Sequence, residues 1–265
     1  MQVKKKDKLS KSERHTLIRN KLKSYPAIRV SELASDIGVS TETIRRDLAE
    51  LEEEGSIHRT YGGASRPMDP EPGVSERDHL FSRQREAIAQ HVATEVKDGE
   101  VLIIGSGANT IHVAVRLAAE KKKLTVFTDS PLIASELAQN PTFKVHLLPG
   151  LFNEIEKCVY GPETINYLSR IYANHVILGA SGLTGDGVSN FDPEIAETYR
   201  AMTHRATNCI VAADHSKIDK NAVSIYAEWN EISELVTDLE PADEELLLGL
   251  KLGHVKISVV EVKNI

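Results

Sequence analysis

The sequence predicts an α/β domain with a mainly parallel sheet, preceded by a small N-terminal winged helix-turn-helix. Three observations carry this. Residues 14–54 hold three short helical patterns separated by Pro26 and Gly38, and a glycine-rich segment, Gly55–Ala64, follows them. Charge divides along the chain: residues 1–66 carry 14 Lys and Arg against 10 Asp and Glu, a balance of +4, whereas the remainder carries 18 against 29, or −11. From about Glu76 onward, short continuous apolar runs alternate with helical stretches, the pattern of a sheet covered on both faces.

The elements follow in order. Arg14 to Tyr25 places Leu17, Ile18 and Leu22 at helical spacing, and Pro26 disfavours helix in the residue before it. Ser31 is the expected N-cap of a second helix that buries Leu33, Ala34 and Ile37 and stops at Gly38. Ser40 is the expected cap of a third helix running to about Glu54, closed by Gly55. At about 100° per residue, Ile44, Leu48 and Leu51 share one face of that helix, while Glu42, Arg45, Arg46 and Ala49 turn toward the other. The apolar face packs on the first two helices. The other is free to enter a major groove, with Arg45 or Arg46 reaching guanine edges or phosphates. Helix, turn, helix and hairpin in this order describe a DNA-binding module, and the basic balance of residues 1–66 fits it. The acidic remainder confines DNA contact to that end.

Ser65 to Ser75 contains Pro67, Pro70, Pro72 and Gly73, which resist helix and sheet, so residues 65–75 read as a linker between domains at 1–64 and 76–265. Beyond it, Arg77 to Val96 reads as helix. Seven apolar runs then read as strands: Val101–Ile104, Leu124–Phe127, Val145–Leu148, Val176–Leu178, Cys209–Ala213, Leu235–Thr237 and Val255–Val260. Helical stretches between them are Thr110–Ala119, Pro131–Gln139, Thr164–Ile171, Glu194–Ala206 and Asp243–Leu252.

In open α/β sheets, ligands sit at the carboxyl ends of strands, near helix N-termini. Four predicted strands end in small polar residues: Gly105-Ser106-Gly107-Ala108-Asn109-Thr110, Thr128-Asp129-Ser130, Gly179-Ala180-Ser181-Gly182, and Asp214-His215-Ser216-Lys217. Glycine permits close backbone approach, and a helix N-terminus favours an anion. Lys217 offers a point charge for phosphate or carboxylate, and Asp214 or Asp129 can accept sugar hydroxyls. Convergence of the four ends makes a small-molecule site.

Other chemistries lack support. Adjacent Asp214, His215 and Ser216 cannot all converge as a triad, and there is no G-x-S-x-G elbow. No H-E-x-x-H spacing and no Walker-type loop occur, so no metal and no cofactor is expected. Cys158 and Cys209 have no paired spacing and read as buried hydrophobes in a reduced cytosol. The lysines at 4, 5, 6 and 8 read as a solvated tail. No secretory signal and no run of transmembrane length appear, so a cytoplasmic protein without a membrane partner is expected.

These residues carry a family resemblance. Residues 14–64 resemble the DeoR-type winged helix-turn-helix through Val30-Ser31-Glu32-Leu33-Ala34, Val39-Ser40 with Ile44-Arg45-Arg46-Asp47-Leu48, and Arg59-Thr60-Tyr61-Gly62-Gly63-Ala64. Residues 76–238 resemble the sugar-phosphate sensor domain of that family through the four strand ends, with Gly161-Pro162 and Ala213 added. The resemblance implies a bacterial transcriptional regulator, usually a repressor of a carbohydrate operon, controlled by a phosphorylated sugar or sugar acid. It implies a sensor fold like ribose-5-phosphate isomerase. The expected partners are double-stranded operator DNA, the phosphorylated carbohydrate, and a second copy of the chain in a dimer or tetramer. Ser40, Thr41, Thr43, Arg45, Arg46 and Arg59 are the expected DNA contacts. Ser106, Gly107, Ala108, Asn109, Thr110, Asp129, Ser130, Gly179, Ala180, Ser181 and Lys217 are the expected effector site. Arg77 is a candidate coupler of the two domains.

Four departures stand out. Ser106–Thr110 replaces the family's usual Ser-Gly-Thr-Thr-Thr, and Asp129 replaces its asparagine. Pro149–Asn153 lacks the family's arginine, and Gly185–Asn190 lacks the catalytic lysine of the isomerases. The last argues against the main alternative, a sugar-phosphate isomerase or deaminase with a DNA-binding appendage. A second alternative is an architectural DNA binder whose α/β body only oligomerises.

Overall fold

The computed structural model describes residues 9–25, 27–54, 56–60, 62–65 and 71–262. The lysine cluster, Pro26, Gly55, Tyr61 and residues 66–70, all used in the expectations above, lie outside them. Packing divides the chain into two compact units, with the boundary between Asp69 and Pro70.

The first unit runs α1 (Lys11–Ser24), β1 (Ala27–Arg29), α2 (Val30–Ile37), α3 (Thr41–Glu53), β2 (His58–Thr60) and β3 (Gly63–Ser65). Ser10 caps α1 in a reciprocal box with Glu13, so the helix starts three residues earlier than its apolar spacing suggests. β1, absent from the sequence reading, joins the hairpin as a three-stranded antiparallel sheet in the order β1-β3-β2. This strand displaces the expected cap of α2. The chain passes straight from β1 into the helix, the Val30 amide donates to the Gly62 carbonyl at 2.9 Å, and Ser31 lies inside the helix rather than at its cap. Gly38 closes α2 with φ of 76°, a left-handed conformation that costs glycine little. Ile18, Leu22, Leu33, Ile37, Ile44, Leu48, Leu51 and Ile57 form the core of this unit. Each such side chain contributes roughly 1.5–3 kcal/mol by leaving water.

The second unit runs α4 (Val74–Asp78), α5 (Ser82–Glu95), β4 (Val101–Ile104), α6 (Ala108–Glu120), β5 (Thr125–Thr128), α7 (Pro131–Leu137), β6 (Lys144–Leu147), β7 (Leu151–Asn153), β8 (Cys158–Tyr160), α8 (Pro162–Leu168), β9 (Ala173–Leu178), β10 (Gly182–Thr184), β11 (Gly187–Asn190), α9 (Pro193–Thr203), β12 (Ala206–Ala212), β13 (Ser224–Ala227), β14 (Glu234–Thr237), α10 (Glu244–Leu252) and β15 (Lys256–Val259). The seven apolar runs are the seven strands of one parallel sheet, ordered β15-β14-β12-β9-β4-β5-β6. Successive residues alternate between two cores. Leu102, Ile104, Ile177 and Ile210 pack with α5, α6 and α7. Ile103, Val176, Leu178 and Val211 pack with residues of α8, α9 and α10. β10, β11 and β13 form a separate antiparallel sheet, and β7 with β8 a hairpin.

Two expectations need correction. The helix expected over Arg77–Val96 is broken: Phe81 adopts φ of 53° and separates α4 from α5. The stretch 65–75 is not wholly a linker either. Ser65 ends β3, and Val74 and Ser75 open α4. Glu71 is drawn onto the second unit by Lys217 and Arg77.

Candidate functional site

On α3, Ser40 accepts from the Thr43 amide at 3.1 Å and meets the Thr43 hydroxyl at 2.9 Å. Both residues are thus engaged in capping the helix, with Thr41 exposed beside them. Opposite the buried Ile44, Leu48 and Leu51, the side chains of Arg45 and Arg46 are 61% and 78% exposed. Both lean toward Glu42, at 3.8 and 3.5 Å. Such surface pairs contribute about 0.2–1 kcal/mol, so Glu42 holds the two arginines only weakly. Asp47 is the unforeseen residue of this helix. It is buried and takes a bidentate contact from Arg14, at 2.7 and 2.9 Å, which locks α3 onto α1. Burial alone would raise its carboxyl, but Arg14 holds it below the usual carboxylate range. On β2, the Arg59 amide donates to Glu52 at 2.9 Å, and its half-exposed guanidinium stands 3.8 Å from the same carboxylate.

In the second unit β4 pairs with β5 on one side and β9 on the other. The chain order reverses there, which makes the carboxyl ends of β4 and β9 the topological switch point. A pocket of about 380 Å³, counting space open to solvent, lies there. Ser106, Gly107, Ala108, Asn109, Gly179, Ala180, Ser181 and Lys217 line it, as the sequence predicts. Gly107 holds φ of 137° and turns the chain into α6 with no side chain capping the helix. The first amides of α6 therefore remain available to an anion.

Three expected site residues stand behind this wall. Thr110 is buried and donates to the Gly107 carbonyl at 2.9 Å. Asp129 is buried and accepts from the Ser106 amide at 2.7 Å and the Ser106 hydroxyl at 3.3 Å. Burial pushes its carboxyl up to about 7 against the lowering effect of those bonds. Ser130 caps α7 through the Ile133 amide. The hydroxyl-accepting role expected of Asp214 or Asp129 is not available to Asp214. Its oxygens are taken by Arg85 at 3.0 Å, Asn109 Nδ2 at 3.0 Å and the Ser216 hydroxyl at 2.5 Å.

The sequence reading missed Arg85, Glu71, Glu156 and Tyr199. Arg85 and Asp214 form a buried pair, their side chains 1% and 0% exposed, and Arg85 also lines the pocket. Removing one partner from such a pair typically costs about 3–5 kcal/mol. Arg85 was detectable. It falls in phase with Ile88, Ala89, Val92 and Ala93 on the buried stripe of α5, where a charge needs a partner. Tyr199 shares a hydrogen bond with the Ser106 hydroxyl at 2.9 Å and donates to the Ser106 carbonyl, holding the first loop in place. Arg77 is buried, donates to the Pro72 carbonyl at 2.8 Å and makes a bidentate pair with Glu156 at 3.0 and 2.6 Å. Glu71 receives Lys217, the Ser181 hydroxyl at 2.5 Å and Arg77 at 3.2 Å.

Catalytic geometry is not assembled around His215. Its Nδ1 lies 2.6 Å from Asp238, while the Ser216 hydroxyl donates to Asp214. Burial raises the Cys209 thiol to about 12 and the Cys158 thiol further, so neither is a thiolate at neutral pH. Two clusters, His15-Asp47-Glu50 and His91-Glu95-Glu234, bring metal-ligand types within 4.8 Å among the described residues. In each, a cation already occupies the central carboxylate: Arg14 on Asp47, and Lys256 on Glu234. No helix among the described residues is long and apolar enough to cross a membrane.

Two family models match the chain: the DeoR-like helix-turn-helix domain over residues 14–69 and the DeoR C terminal sensor domain over residues 81–239. The chain is similar to the HTH-type transcriptional repressor GlcR of Bacillus subtilis (strain 168), 31% identical over 86% of this chain and 89% of that one. It is similar to the HTH-type transcriptional repressor CsqR of Escherichia coli (strain K12), 30% identical over 81% and 83%. The glycerol-3-phosphate regulon repressor of Escherichia coli (strain K12) is 28% identical over 88% and 93%. Among solved structures, ribose 5 phosphate isomerase A from Neisseria gonorrhoeae aligns with 53% of this chain and 53% of its own at 17% identity and a TM-score of 0.39.

Proposed function

Because the chain belongs to the DeoR family of helix-turn-helix transcriptional regulators, we propose that it represses a carbohydrate-utilisation operon under the control of a phosphorylated sugar or sugar acid. The observation that carries the effector class is the convergence of Lys217, Arg77 and Arg85 on the open N-terminus of α6 at the switch point of the sheet. Cations, free amides and serine hydroxyls together suit an anion attached to a polyol. The name of one relative, the glycerol-3-phosphate regulon repressor, points to the same class.

In this reading Lys217, Ser181, Ser106 and the amides of Gly107 to Asn109 contact the ligand, with Gly179 and Ala180 forming the opposite wall. Thr110, Asp129 and Ser130 hold the shape of the pocket. Thr41, Arg45 and Arg46 meet operator bases or phosphates from α3, Ser40 and Thr43 set its N-terminus, and Arg59 follows the backbone from the wing. The chain acts as a dimer or tetramer, with two heads on half-sites one helical turn apart, about 10 base pairs, or a multiple of that. It regulates in the cytoplasm rather than catalyses: Gly185 to Asn190 contain no lysine, whereas the isomerases carry a catalytic lysine in their glycine-rich loop.

The test is a thermal-shift panel of sugar phosphates and sugar acids, followed by operator titration by fluorescence anisotropy with each hit. At least one member should raise the melting temperature and change operator affinity. In Lys217→Ala that response should shrink while operator binding without ligand persists. A panel without a single shift overturns the effector assignment, and turnover of a panel member overturns the non-enzymatic reading.

A further inference from the structure

The effector pocket already contains an anion supplied by the protein. Three buried cations, Lys217, Arg77 and Arg85, face three carboxylates, those of Glu71, Glu156 and Asp214. With the charges balanced, each cation among the described residues lining the pocket is already paired, so an incoming phosphate at the α6 amides reaches a cation only by replacing a carboxylate. The three candidates differ in how they are held. Asp214 is fully buried, and four protein groups converge on it. Glu156 lies between β7 and β8, and its own amide is tied to Asn153 at 2.9 Å. Glu71 lies outside helix and strand, between two prolines that have no amide to donate, and its carboxylate takes the contacts a ligand would need, from Lys217 and the Ser181 hydroxyl.

We propose that Glu71 is an internal stand-in for the anionic group of the effector, and that a ligand phosphate or carboxylate displaces it from Lys217 and Ser181. This rests on the anion site assigned above and adds its regulation. Glu71 stands two residues beyond the boundary at Asp69, so displacing it releases the described start of the second unit that borders the DNA-binding unit in sequence. The ligand class narrows as well. A neutral sugar cannot replace a carboxylate on a buried lysine without leaving the cation unpaired, which is costly.

The cost of displacement predicts a gain of affinity when Glu71 is neutralised, because apparent affinity scales with the fraction of molecules whose site is free. Inorganic phosphate is the probe, titrated calorimetrically into the full chain, with hydrogen exchange of residues 71–77 followed alongside. Glu71→Gln should bind phosphate about tenfold more tightly than wild type, as expected if the carboxylate fills the site nine-tenths of the time. Glu71→Ala should change in the same direction. In wild type, phosphate should speed exchange across 71–77. In Glu71→Gln those amides should exchange fast with or without phosphate.

Equal phosphate affinity in wild type and both variants, with 71–77 still protected, overturns the displacement. If Lys217→Ala nonetheless weakens phosphate in that case, the anion site stands and only the role of Glu71 fails. Absence of phosphate binding to Glu71→Gln overturns both the proposal and the anion site beneath it.

Discussion

At the scale of single residues, Asp129 shows how a buried carboxyl shapes the second unit without lining its pocket. Its ordinary value is 3.8, and burial moves it to about 7 in the folded chain. Below about pH 4 the group is protonated whether the chain is folded or not. Between there and about 7 the folded form keeps a proton that the unfolded form has lost, so stability falls as pH rises through that window. Above 7 the full penalty is present. Asp129→Asn keeps an acceptor for the Ser106 amide and has no proton to lose. Its stability advantage over wild type should therefore grow from pH 4 to pH 7 and then level off, at roughly 2–4 °C of melting temperature for each kcal/mol regained. Melting curves of both proteins across that range decide the matter, and a constant difference would show that Asp129 is ionised throughout. The family's usual asparagine at this position is consistent with an uncharged role for it.

At the scale of elements, α3 presents Arg45 and Arg46 while Asp47 and Leu48 fix it from behind. Arg46→Ala should weaken operator binding by about 1–3 kcal/mol. The salt dependence then tells what the side chain touches. If Arg46 binds a phosphate, the substitution lowers the slope of log affinity against log salt by about one and affects all DNA sequences alike. If it reads a base, the slope stays and specificity relaxes at one position. Unchanged affinity and slope would remove Arg46 from the interface. The elements also show what a sequence can reveal. The inner strands β4, β9, β12 and β14 were legible because both faces are buried over most of their length, which makes each an apolar run, whereas the edge strands β6 and β15 are largely exposed and mix polar with apolar residues. The strands β7, β10 and β11 read Leu-Phe-Asn, Gly-Leu-Thr and Gly-Val-Ser-Asn, too short and too polar to stand out, and β1 is recognisable only from the partner it finds in β3. The site divides in the same way. Its glycine and serine strand ends announce themselves locally. Glu71 does not, because a charge in a proline-rich stretch reads as surface until its partner, 146 residues away, is known; for Arg85 the phase on α5 shows burial but not the partner, Asp214, 129 residues on.

At the scale of the whole molecule, an acidic sensor and a basic head form two compact units, each with its own apolar core. Calorimetry should therefore resolve two transitions rather than one. Inorganic phosphate should raise only the transition of the larger unit, by about 2.7 kcal/mol when its concentration is about a hundred times the dissociation constant. A single transition that shifts as one would show that the head and sensor unfold together.

The strand order of the sensor also sets a timetable. Pairing in the first unit is complete once Ser65 has been synthesised, whereas β15, the edge strand beyond β14, spans residues 256–259. At about 5–20 residues per second the ribosome needs roughly 10–40 s to cover that distance. Within it, β4 waits for β9 and β14 waits for β15. Each newly made molecule thus owns a finished reading head for some tens of seconds before it owns a finished sensor. The DNA-binding unit is complete first and the larger unit later.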